Sequence, residues 1–83
     1  MNKALESVLA ERERQEAKWG QQNHDLPVYL CILMEEVGEL SEVVLHDIFG
    51  GHQAGRAREE AVHTAAVALA IVELIDRKAE TTG

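Results

Sequence analysis

Residues 27–49 read PVYLCILMEEVGELSEVVLHDIF, and the spacing of their apolar side chains decides the fold. Leu30, Leu33, Met34, Val37, Leu40, Val44 and Ile48 recur at three- and four-residue steps, the period of an amphipathic helix. Pro27 stands where a helix tolerates proline, in a first turn whose N–H groups lack intrahelical acceptors. Asp25 before it is a candidate cap. Gly50-Gly51 supplies the stop.

Outward from this segment, two breaks divide the chain: Gly20–Pro27, and Gly50-Gly51 through Gly55. Before the first, the pattern predicts a helix over about Asn2–Lys18, capped by Asn2, with Leu5, Val8, Leu9 and Arg12 at helical spacing. The charged run Glu11–Glu16 reads as a solvated face. After the second break a helix is expected over about Arg56–Lys78. Its middle, Ala61–Ile75, is apolar almost all round, as in a helix buried among several others, and Arg77 and Lys78 fall in its last turn. No stretch alternates with period two. The expectation is an all-α single domain over 1–83: a three-helix antiparallel bundle. Three helices cannot enclose one of their own number, so oligomerisation as a homodimer or homotetramer is expected to complete it.

Composition narrows the function. Eight Lys+Arg against fifteen Asp+Glu give a net charge of −7 over 83 residues. That leaves no basic footprint for nucleic acid and no polybasic membrane anchor. The run Ala65–Val72 is too short to span a bilayer, and Met1–Arg12 lacks the apolar core of a signal peptide, so a cytoplasmic location is expected. One cysteine, Cys31, excludes an internal disulfide and a cysteine-cluster zinc site. Its apolar neighbours suggest a buried thiol.

The acids are oddly placed. Glu36 and Glu39 share a helical face, and at 100° per residue Ile32 and Val43 project between them. In the third helix Glu60 and His63 begin a stripe continued by Val67, Ile71 and Leu74. Gly38, mid-helix, costs roughly 1 kcal/mol relative to alanine and suggests close approach of a backbone or ligand. Clustered carboxylates repel and resist desolvation, and a hard divalent cation would offset both. The other reading is a set of surface glutamates on an acidic protein. Trp19, beside Lys18, Gln22 and Asn23, either stacks on a base or plugs the end of the bundle.

The pattern Glu36-x-x-Glu39, twenty residues, then Glu60-x-x-His63 resembles the MazG-like all-α nucleoside triphosphate pyrophosphatase superfamily, whose motif is EExxE, a spacer and ExxD. Glu35-Glu36-Val37-Gly38-Glu39 matches the first half. Glu59-Glu60-Ala61-Val62-His63 matches the second, with His63 where the family has aspartate. Arg14-Gln15 and Lys18-Trp19-Gly20 resemble a segment of phage and actinobacterial members, and the likeness covers about residues 12–76. It implies hydrolysis of nucleoside triphosphates to the monophosphate and pyrophosphate. Mg²⁺, or Mn²⁺, would be held by Glu36, Glu39, Glu60 and His63, with Glu35 orienting the attacking water and Glu39 also catalytic. Lys18, Trp19, Gln22, Asn23 and Arg56, with Arg58, would contact the substrate, although both arginines read equally well as solvated residues at a helix start. The histidine leaves open an altered metal preference, a one-metal site or an inactive nucleotide-binding relative. The alternative from another class is a non-catalytic helical oligomerisation or protein-interaction module.

Overall fold

The computed structural model describes residues 2–21 and 24–82. Three helices follow one another: α1 (Lys3–Trp19), α2 (Leu26–Phe49) and α3 (Ala57–Thr82). Asn2 caps α1, its side chain accepting from the Leu5 N–H at 2.8 Å. Asp25 precedes α2 but makes no side-chain cap bond; Pro27 in the first turn leaves fewer donors to satisfy. Gly50 ends α2 in the left-handed region at φ +83°, where a β-carbon would be strained, and its N–H returns to the His46 carbonyl. The turn that follows is tied back by Gln53 N–H donating to His46 Nδ1 at 3.1 Å. α3 runs past Lys78 to Thr82, so Arg77 and Lys78 do not lie in its last turn as expected.

α3 is the common neighbour. It packs against both α1 and α2, which among the described residues do not pack on each other. α2 runs antiparallel to α3, with Tyr29 beside Ala70 and Leu74 at one end and Glu36 beside Thr64 at the other. α1 runs parallel to α3, with Ser7 bonded to Arg58 and Arg12 to Glu73. The three helices thus alternate in direction, α1 and α3 running one way and α2 the other, as in an up-down-up arrangement.

The molecule measures 50 × 30 × 20 Å, two helix diameters in its thinnest direction. No helix can be enclosed at that thickness. The buried apolar set is accordingly small: Tyr29, Val43, Ala66, Val67, Ala70 and Leu74. In α3 one side is buried, while Ala61, Val72 and Ile75 face solvent, which corrects the expectation of burial all round.

α2 reverses the reading of its own faces. The side packed on α3 carries Tyr29, Ile32, Glu36 and Val43, so the face that bears Glu36 is the inner one, while Glu39, expected to share it, is exposed. The dominant stripe is largely bare: Leu30, Met34, Val44 and Ile48 are exposed, with Leu33, Val37 and Leu40 half-buried at its edge. Cys31 is also exposed, because it lies on neither packed side. Gly38 meets no neighbour: a β-carbon there has nothing within 4 Å, so close approach is not its role in the single chain. Among the described residues no helix is long and apolar enough to cross a membrane.

Two substitutions test this packing by chemical denaturation followed by circular dichroism. Leu74→Ala, at a site 2% exposed, is expected to cost about 3 kcal/mol. Gly38→Ala, in open helical space, is expected to add about 0.5–1 kcal/mol.

Candidate metal centre

Each helix contributes to one polar cluster. α2 supplies Glu36, α3 supplies Glu60 and His63, and α1 supplies Glu11. One ligand atom from each of Glu36, Glu60 and His63 lies within 4.8 Å of the others. Glu60 and His63 converge because they are one helical turn apart on the side of α3 that both other helices cover. Glu36 joins them because its own face packs on α3. Thr64 ties the two helices here, its hydroxyl donating to the Glu60 carbonyl at 2.8 Å and approaching the Glu36 carbonyl at 3.4 Å.

The two carboxylates are incompletely satisfied. The Glu60 side chain is only 6% exposed; Oε1 accepts from Arg56 Nη2 at 3.2 Å, and Oε2 lies 3.6 Å from His63 Nδ1 with no hydrogen bond among the described residues. Glu36 Oε2 is likewise buried and unbonded among the described residues. Burial raises the Glu36 pKa above its ordinary value, and the neighbouring charge of Glu39 adds to it. A folded protein seldom keeps two buried acceptors without partners in one cluster. A cation with oxygen and imidazole ligands would satisfy both, and this donor set suits Mn²⁺ or Zn²⁺ better than Mg²⁺.

Glu11 is the residue that the charge pattern hides. It belongs to the run expected to be solvated, yet its side chain is 9% exposed. Arg14 clamps it from the next turn through Nε and Nη2, both at 2.7 Å, and Gln15 adds a bond at 3.0 Å. The guanidinium bonds hold the Glu11 pKa below its ordinary value against the opposing effect of burial. Arg12 is also largely buried, bonding Glu73 of α3 at 2.8 Å. The available signal was register: Glu11 lies three and four residues after Val8 and Ser7, in line with the face of α1 that packs.

A cleft of about 150 Å³ opens beside the cluster, between α1 and α2 and floored by α3. Its walls carry Arg14, Gln15 and Trp19 from α1 and Tyr29, Ile32 and Glu36 from α2, with His63 and Val67 below. Trp19 is half exposed and borders this cleft rather than plugging the bundle, and Lys18 Nζ stands 4.8 Å from the centre of its ring. Arg56 is bound to Glu59 and Glu60, and Arg58 to Ser7. Glu35 and Glu39 are exposed neighbours of Glu36 on α2, outside the three-residue set. Gln22 and Asn23 lie outside the described residues.

Comparison with known protein families, curated proteins and solved structures finds no significant match to this chain.

Glu36→Gln removes a charge that burial disfavours. It is expected to raise the melting temperature of the metal-free protein by a few degrees at pH 7. The raised pKa means that ionised Glu36 costs stability as pH climbs above its ordinary 4.5, so the gain should vanish in melts below that pH, where wild type is protonated in both states. Glu11 has the opposite sign: its stabilisation is full above 4.5 and is lost as pH falls through its lowered folded value.

Proposed function

We propose that this protein is a divalent-metal-dependent nucleotide pyrophosphohydrolase of MazG type, splitting nucleoside triphosphates into the monophosphate and pyrophosphate. The observation that carries the reading is the buried, unbonded Oε2 of Glu60 beside Glu36 and His63, at the edge of a cleft with an aromatic wall. Glu36, Glu60 and His63 would hold the cation. Bound there, a divalent ion neutralises phosphate charge and acidifies water.

The chain's own groups would do the rest. Trp19 offers a flat face for a base, and Gln15, on the same wall, has amide donors and an acceptor for its edge. Lys18, over the Trp19 ring, and Arg56, beside Glu60, are the cations available to the phosphates. Glu39, whose charge acts on Glu36, is the next acid along α2 for a second ion arriving with the substrate, and exposed Glu35 is free to orient water. Such a site serves a polyanion in a protein of charge −7 because the cation reverses the local sign.

A homo-oligomer belongs to the same proposal. The bare stripe Leu30, Met34, Val44 and Ile48 gives α2 a second apolar face, and a second copy would cover it. That face also favours the rival reading, an interaction module without catalysis. Metal separates the two.

Millimolar Mn²⁺ or Mg²⁺ should raise the melting temperature, since a ligand at a hundredfold excess over its Kd adds about 2.7 kcal/mol. Pyrophosphate should be released from a panel of nucleoside triphosphates. Glu60→Gln should abolish both effects and Glu39→Gln should weaken turnover. An unchanged melt together with no pyrophosphate would leave the interaction module standing. In light scattering wild type should exceed the 9.2 kDa of one chain, and Ile48→Glu should lower the mass.

A further inference from the structure

We propose that Glu11 of α1 is a positioning residue for His63: it accepts the imidazole Nε2–H and so directs Nδ1 toward a cation shared with Glu36 and Glu60. This rests on the metal reading above and adds to it a role for the one helix that supplies no ligand.

Both nitrogens of His63 face carboxylates. Nδ1 lies 3.6 Å from Glu60 Oε2, the oxygen that has no hydrogen bond, and Nε2 lies 3.9 Å from Glu11 Oε1. An imidazole that ligates through one nitrogen carries its proton on the other, and a carboxylate accepting that proton fixes the ring and raises its basicity as a ligand. The 3.9 Å separation is longer than a hydrogen bond and closes with a small rotation of the ring as Nδ1 is drawn to a cation.

Glu11 is built for this rather than for holding α1 together. A helix pair three residues apart normally lies in solvent and contributes little. Here the carboxylate is 9% exposed and turned toward another helix, while Arg14, half exposed, holds both its oxygens from the solvent side. An apolar residue at this position would pack α1 against α3 without the cost of desolvating a charge. Arg14 and Gln15 fix the Glu11 carboxylate, which in turn fixes His63.

The test uses the full chain and Mn²⁺ calorimetry, with Zn²⁺-loaded protein for imidazole ¹⁵N spectra. Wild type should bind Mn²⁺, and with Zn²⁺ bound His63 should be protonated at Nε2. Glu11→Ala should weaken Mn²⁺ binding roughly 10- to 100-fold, the range for a lost carboxylate–histidine contact. Glu11→Gln, whose amide oxygen still accepts the proton, should stay within a few-fold of wild type and carries the test if the alanine variant does not fold. In a His63→Ala background Glu11→Ala should have no further effect. Wild type that binds neither metal overturns the metal reading and this role with it. Wild-type binding with an unchanged Glu11→Ala variant, an undiminished effect without His63, a glutamine variant as weak as alanine, or a proton on Nδ1 overturns the role of Glu11 alone.

Discussion

Everything in this fold depends on α3 serving two neighbours that do not serve each other. With α1 and α2 separated, the burial that holds the chain together comes from two seams along one helix, and the gap between the outer helices becomes a cleft floored by α3. Glu60 and His63 sit where the two seams meet. A residue on that strip of α3 faces both outer helices, so groups from three helices can converge without any loop to place them. The cost, among the described residues, is a core of five small or medium apolar side chains and Tyr29, without room for a large buried cluster. Small domains sit close to their stability threshold, which makes the unbonded acids expensive to retain.

The cluster resolves its repulsion unevenly. Glu11 receives a full bidentate clamp, Glu60 receives one bond from Arg56, and Glu36 receives none at its buried oxygen. The pKa directions at the two extremes agree with this: Glu11 is held down by Arg14, and Glu36 is pushed up by burial and Glu39. Compensation is therefore complete at the α1 side and missing where α2 and α3 meet. A purely structural ionic network would distribute its cations to the most buried acceptors. Here Arg14 and Arg56 stay at the rim, half exposed, and among the described residues one buried oxygen each of Glu36 and Glu60 has no hydrogen bond.

The three helices, their ends other than the last and the Glu60–His63 stripe were legible because they rest on local rules: caps, glycine stops and 3.6-residue spacing. α3 runs on past Lys78 because no such stop stands between it and Thr82. The alternation of Glu36 with Ile32 and Val43 was legible for the same reason, since an apolar residue between acids marks a face that packs. What periodicity cannot do is rank two apolar faces on one helix. The stripe through Leu30 and Met34 is the more hydrophobic, yet α3 took the other, on which Val43 is buried and Tyr29 seats against Ala70 and Leu74 of α3. Cys31 and the far side of α3 were misread with it. Glu11 was hidden for a different reason: a run of alternating charges looks solvated from end to end, and only the third dimension shows that one member is turned inward. A substrate role for Lys18 and Trp19 rests on a resemblance alone, and local rules assign them no partner beyond each other.

The two surprises of α2 have one physical root. A helix whose most apolar face is left bare must gain something from the face it buries, and the buried face here includes a carboxylate that is destabilised by being there. In a single chain both choices raise the free energy. They become favourable together if the bare stripe is covered by a second copy, which recovers apolar burial, and if a cation satisfies Glu36 and Glu60, which removes the electrostatic penalty. Each contribution offsets a cost that the other leaves untouched. The apolar face and the acidic cluster are then not separate oddities of the sequence but the two points at which the isolated, metal-free chain is incomplete.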